Sequence, residues 1–218
     1  MNRRHILRAV AAAAVLAIGS SGFISWRAYS APADLMQPGP LGDESLGDTN
    51  APNVIIEYAS MTCPHCARFT NEVFPQLKKR DIDTGRVRYI FREFPLDPVA
   101  AGAAALARCA GKDKFFPTIE LLFRTQDTWA VDHPEGPLLE TVKQEGLTEQ
   151  SFKACLADKK ILDALMAERD RAAKDFGVNA TPTFFINGEK KVGEQTIEEI
   201  EAALKPAAAP SAPAAPSK

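Results

Sequence analysis

Apolar and polar positions along the chain follow two different periods, and the switches between them mark the elements. Val54-Ile55-Ile56-Glu57-Tyr58-Ala59 is a short β-branched run with one acid inside it, the pattern of a buried strand. From Pro64 onward, Cys66, Phe69, Val73 and Leu77 recur at helical spacing, so a helix with one buried face follows. Pro64 suits the first turn of that helix, where a missing N–H costs nothing, whereas Pro75 lies inside the pattern and should kink it. Val87-Arg88-Tyr89-Ile90-Phe91-Arg92-Glu93-Phe94 alternates apolar and polar side chains and reads as a second strand. Strand, helix and strand in this order predict a parallel βαβ unit.

Residues 98–176 show no strand pattern and read as five helices, over 98–110, 114–126, 137–145, 149–157 and 159–176. Phe115-Phe116 and Leu121-Leu122-Phe123 fall in their core, Trp129 reads equally as core or groove, and His133 has no evident partner. Gly177 ends the last helix. Thr183-Phe184-Phe185-Ile186 and Lys190-Lys191-Val192 then flank Asn187-Gly188, the strongest short hairpin signal. A final helix opens on Thr196 and Glu199 as a capping box and runs to Leu204. The chain is thus β-α-β, a helical block, then β-β-α, with no internal repeat. Residues 34–52, rich in Gly, Pro, Asp and Asn, read as a connector, and 206–218, almost all Ala, Pro and Ser, as a disordered tail.

Composition narrows the function classes. At 218 residues and 45% hydrophobic content, the chain can bury one good-sized core. Residues 1–33 carry Arg3, Arg4, Arg8 and Arg27 and no acid; without them, 22 basic residues face 28 acidic ones, a net of −6. That balance argues against a nucleic-acid surface. The same segment has a basic start, an apolar stretch from Ala9 to Ile18, and Ala31-Pro32-Ala33 in the form of a cleavage site. It reads as a signal peptide, with an uncleaved membrane anchor over Ala9 to Trp26 as the other reading. Either reading puts the body of the protein outside the cytoplasm, in the periplasm, where disulfides persist.

The candidate chemistry lies in Cys63-Pro64-His65-Cys66. Two thiols at this spacing form either a disulfide or half of a zinc site, but Cys109 and Cys155 lie far off in helical segments without a C-x-x-C of their own. No metal is expected. A Cys at a helix N-terminus faces unpaired N–H groups and the positive end of the dipole, both of which stabilise a thiolate. Cys63 is then the attacking sulfur and Cys66, one turn in, resolves the mixed disulfide. His65 can add positive charge beside the thiolate, strengthening the disulfide as an oxidant; an inert surface His is the plainer alternative.

With these residues in place, the sequence resembles the DsbA family of thioredoxin-like proteins. The Cys-Pro-His-Cys motif between a strand and a helix, the run Ala180-Thr181-Pro182-Thr183-Phe184-Phe185-Ile186-Asn187-Gly188 and the intervening helices carry the resemblance, over roughly residues 47–205. It implies an α/β, thioredoxin-like fold built from 47–97 and 177–205, with 98–176 as an inserted helical domain and 34–46 as connector. Pro182 would be the family's cis-proline beside the disulfide, and Thr181 would offer its backbone to substrate. Glu57, six residues before Cys63, would be the family's buried acid, able to handle the proton of Cys66; a solvated edge Glu is the other reading. Thr181 departs from the Val of enterobacterial DsbA, and Ser60-Met61-Thr62 is more polar than its counterpart there.

Some family members carry a second, structural disulfide in the helical region, and an even Cys count in an exported protein favours Cys109–Cys155 pairing; two buried thiols are the alternative. The implied activity is donation of a disulfide to folding, exported Cys-containing polypeptides, with no bound cofactor and with reoxidation by a DsbB-like membrane partner. Residues 34–46 are too short for a dimerisation domain, so a monomer is expected rather than a dimeric isomerase. The competing functions are an isomerase or reductase of the same fold and a peptide-binding chaperone with incidental thiols.

Overall fold

The computed structural model describes residues 33–206; the segment read as a signal peptide, 1–33 apart from Ala33, and the segment read as a disordered tail, 206–218 apart from Pro206, lie outside the described residues. A 3-10 turn at Ala33–Met36 leads into strand β1, Glu44–Leu46, and then β2, Asn53–Ala59. The first helical run follows as α1, Pro64–Arg68, and α2, Phe74–Leu77, each continued by a π turn, at Phe69–Val73 and Lys78–Ile82. The break expected at Pro75 takes the form of the first π turn: Phe74 N–H reaches back five residues to the Phe69 carbonyl, shifting the ladder where proline has no N–H to give. Cys66, Phe69 and Leu77 keep their buried face.

Strand β3, Val87–Glu93, is followed by α3 (Pro98–Cys109), α4 (Phe115–Arg124), α5 (Gln126–Trp129), α6 (Glu135–Lys143), α7 (Glu149–Leu156) and α8 (Lys159–Phe176). The hairpin β4, Thr183–Ile186, and β5, Glu189–Val192, precedes α9, Ile197–Ala203. The sheet order is β1-β3-β2-β4-β5, with β2 parallel to β3 and every other pair antiparallel. The hairpin turns on Asn187 and Gly188, both at positive φ, and Gly177 caps α8 in the left-handed conformation. The capping box of α9 is present on Thr196 and Glu199.

Residues 34–46 are not a bare connector: Leu35 is buried and β1 pairs with β3 at the sheet edge. The cause is Arg92, a β3 side chain with its guanidinium inside the fold. It donates to both oxygens of Asp43, to the Leu35 and Gln37 carbonyls and to the Tyr58 hydroxyl. Arg171 of α8 also donates to the Asp34 and Gln37 carbonyls. A segment with few apolar residues is held by hydrogen bonds instead. Trp129 proves to be core, fully buried with its indole N–H on the Leu122 carbonyl.

The main core spreads from one face of β2, β3 and β4 over α1, α2, α3, α4, α6 and α7. A smaller one, with Ile56, Tyr58, Ile90 and Phe185, lies on the other face against Ala172 of α8. Covered on both faces, β2 and β3 are buried nearly end to end, and β2 delivers the chain directly to Cys63.

Candidate active site

Cys63 is the N-cap of α1, with extended backbone, and Pro64 fills the first helical position. The helix therefore starts where the sulfur is, and the pair Cys63 and Cys66 stands as free thiols, both buried. The Cys63 thiol is lowered to about 5. The Cys66 thiol, donating to the Cys63 sulfur, is the largest cause; the Thr181 side chain and the N–H groups of Cys66 and His65 add to it, against burial. Cys66 moves the opposite way: burial, then its bond to Cys63, then the charge of Glu57 push its thiol well above the ordinary value. The two sulfurs are thus driven apart in acidity, one poised as thiolate and the other as thiol.

Two distant elements frame the Cys63 sulfur. Its thiol donates to the Thr181 carbonyl oxygen at 3.3 Å, in the loop where the Thr181–Pro182 peptide is cis. The Thr181 hydroxyl is buried without a hydrogen-bond partner, so a donor waits beside the sulfur for the charged form. Glu57, on β2, is fully buried. Its Oε2 accepts from the Tyr89 hydroxyl and its Oε1 has no partner. Burial pushes its carboxyl up to about 8, against the pull of the Tyr89 hydrogen bond. At neutral pH this acid holds its proton beneath the thiol pair.

Pro64 and His65 are exposed. The His65 ring faces Glu194, which also pairs with Arg68, so the imidazole turns to that carboxylate while its main-chain N–H serves Cys63. Cys109 and Cys155 are joined as a disulfide between the end of α3 and α7, with Cα atoms 6.2 Å apart. Among the described residues no group of three His, Cys, Asp or Glu is placed to hold a metal ion.

Four residues at the site carry no role in the sequence reading. Tyr89 bonds Glu57; its signal is the two-residue period, since β3 sets Phe91 opposite Glu57 and Tyr89 two positions along the same face. Asp97 N-caps α3 through Ala100 N–H and accepts from the Thr62 hydroxyl; Asp-Pro before an apolar run is a legible helix start. Glu194 and Gln126 leave no such mark, because each reaches the site from another part of the chain.

Comparison with known proteins points the same way. The family model described as Thioredoxin matches residues 41–206. A curated relative from Rickettsia bellii, named "Putative protein-disulfide oxidoreductase", is 36% identical over 164 residues, covering 74% of this chain and 63% of the relative. The chain therefore spans less than two thirds of that relative's length. The crystal structure of Wolbachia pipientis alpha-DsbA1 superposes with a TM-score of 0.71 at 34% identity, covering 78% of this chain and 92% of that one. A protein-disulfide isomerase from Novosphingobium aromaticivorans, at 23% identity and TM-score 0.66, covers 73% of this chain and 94% of its own and shares the fold. The architecture is α/β and thioredoxin-like, with helices inserted between the two halves of a five-stranded sheet.

Proposed function

The chain belongs to the DsbA family of thioredoxin-like proteins, and on that premise we propose that it is an exported protein-disulfide oxidoreductase that introduces disulfides into Cys-containing polypeptides. The observation that carries the reading is the placement of Cys63 as N-cap of α1 against the cis Thr181–Pro182 loop, with Cys66 one turn in, which lowers the Cys63 thiol and raises that of Cys66. A stabilised thiolate stabilises the dithiol form, so the disulfide gives itself up readily.

The reaction runs in two exchanges. A client thiolate attacks the Cys63 sulfur of the Cys63–Cys66 disulfide; a client–Cys63 bond forms, the Cys63–Cys66 bond breaks, and Cys66 leaves with the electron pair. Because its thiol is pushed up, Cys66 takes a proton, and protonated Glu57 is the buried acid that supplies it. A second client thiolate then attacks the client sulfur, closing the client's disulfide and releasing Cys63 as the stabilised thiolate. Two electrons have moved from client to enzyme. The cis loop at Thr181–Pro182 lies against the reacting sulfur and is where client main chain would run. His65 and Pro64 set the exposed side of the motif, and His65 acts through its main-chain N–H and its pairing with Glu194. Cys109–Cys155 is structural and inert, lying outside any C-x-x-C setting.

Two features support export to the periplasm: the basic, apolar leader and a disulfide of the kind that persists in oxidising compartments. No helix among the described residues is long and apolar enough to cross a membrane. We assign reoxidation to a DsbB-like membrane partner, the protein acting as a monomer without a bound cofactor. The test is trapping. Cys66→Ala should accumulate mixed disulfides on Cys63 with reduced clients, whereas Cys63→Ser should form none and leave clients reduced. Full activity of Cys63→Ser in cells would instead favour a chaperone.

A further inference from the structure

Gln126 opens α5 within the helical insertion and is nearly fully buried, with 7% exposure. Its side-chain Nε2 donates twice, to the Met61 carbonyl at 2.8 Å and to the Cys63 carbonyl at 3.1 Å. One NH2 group thus spends both hydrogens on the turn that leads into the reacting cysteine. The orientation is forced, since a reversed amide would set its oxygen against two carbonyl oxygens with no proton among them. The same turn is held a second time by Asp97, which accepts from the Thr62 hydroxyl while capping α3. Gln126 is itself fixed: its carbonyl accepts from Ala130 N–H, and Trp129 ties α5 back to α4 through the Leu122 carbonyl.

We propose that Gln126 is a positioning residue for the Cys63 thiol, reaching from the helical insertion to hold the Met61–Cys63 turn and to offset the carbonyl dipole beside the reacting sulfur. The inference rests on the dithiol–disulfide reading of the site and goes beyond it by giving the insertion a part in setting the acidity of Cys63. The Cys63 carbonyl already accepts from Ala67 N–H within α1, so Gln126 supplies its second donor. A donor on that oxygen draws partial negative charge away from the sulfur of the same residue. The benefit is large when the sulfur is charged and small when it is bonded to Cys66, so it favours the dithiol form. The residue type follows from the geometry. Asn is one methylene short of both carbonyls, Glu would turn a negative oxygen on them, and Met matches the length with no donor.

The test uses Gln126→Met and Gln126→Asn in the full chain; the Asn variant keeps an amide in the space and guards against a folding failure of the Met variant. Three quantities are measured: thiolate absorbance at 240 nm against pH in the reduced protein, the thiol–disulfide equilibrium with glutathione, and the thermal midpoint. Loss of the two bonds should raise the Cys63 titration midpoint by about half a pH unit or more and shift the glutathione equilibrium toward the disulfide by about threefold or more. The Met variant should shift at least as far as the Asn variant. A folded variant with a lowered thermal midpoint but an unmoved titration and equilibrium would reduce Gln126 to a packing residue and overturn the proposal. Failure of the wild-type protein to exchange with glutathione would strike the function itself, a separate result from an unmoved variant.

Discussion

The Cys63 sulfur and the Thr181 carbonyl oxygen lie 3.3 Å apart, across 118 residues of sequence. This contact sets the cis loop before β4 against the reacting atom, and it belongs to the thiol form alone. A carbonyl can accept from a thiol but offers nothing to a thiolate. When the proton leaves, the sulfur depends on other donors: the Cys66 thiol, the N–H groups of His65 and Cys66, and the Thr181 hydroxyl.

The Cys66 thiol is the first of those donors, so its removal should be visible in the titration of Cys63. Wild-type protein in the dithiol form should titrate near pH 5 by absorbance at 240 nm. Cys66→Ala should titrate higher, yet below the 9.0 of an unperturbed thiol, because the helix N–H groups remain. An unchanged midpoint would mean that the helix terminus alone sets the acidity.

Glu57 makes a stability prediction with a definite sign. Its carboxyl titrates at 4.5 when unperturbed and at about 8 in the fold. Between those values the folded chain holds a proton that the unfolded chain has lost, so stability is full below about pH 4.5 and falls as pH rises toward 8. At 1.36 kcal/mol per unit, the cost at neutral pH is roughly 3 kcal/mol. In the dithiol form Cys63 slopes the other way and its charge adds to the rise of Glu57, so the comparison belongs on the oxidised protein, where burial holds the carboxyl up without that charge and the effect is smaller. There, Glu57→Gln should flatten the urea-unfolding profile across this window and gain on wild type near pH 8. Parallel profiles would rule out a buried neutral acid.

The Cys109–Cys155 bond spans 46 residues, for which chain entropy gives about 4 kcal/mol as an order of magnitude. The double variant Cys109→Ala, Cys155→Ala should lose stability by up to that amount in urea. Its Cys63 titration should stay at the wild-type midpoint, since the bond joins α3 to α7 and not the motif. A moved midpoint would show that the insertion transmits strain to the site.

Arg92, paired in register with Tyr58 near the end of β3, holds the chain before β1 in place, and breaking it should be costly. With 1% exposure, it pairs bidentately with Asp43 and holds the Leu35 and Gln37 carbonyls. Arg92→Met leaves Asp43 buried without its cation, at a cost of about 3–5 kcal/mol. Hydrogen exchange should locate the loss in residues 35–43; protection spread evenly over the sheet would contradict the clamp.

The sequence makes the scaffold legible wherever the signal is local. Asn187-Gly188 marks the hairpin, Gly177 the end of α8 and Thr196 with Glu199 the start of α9, because each is decided by backbone conformation within a few residues. Cys63 and Cys66 declare themselves by spacing, and Glu57 by standing inside an apolar strand. What stays hidden depends on tertiary meeting points. β1 reads as connector because its order comes from Arg92, 49 residues from Asp43, rather than from its own apolar pattern. Gln126 looks like any polar residue until α5 brings it to the Met61 and Cys63 carbonyls, and Glu194 until the hairpin brings it to His65.

The central claim is that the site donates its disulfide, and the reduction potential of the Cys63–Cys66 pair, measured by equilibrium with glutathione, tests it most directly. The stabilised Cys63 thiolate predicts a value well above the roughly −270 mV of thioredoxin, in the oxidising range. A value at or below thioredoxin's would contradict net oxidation and assign the same two thiols to reduction.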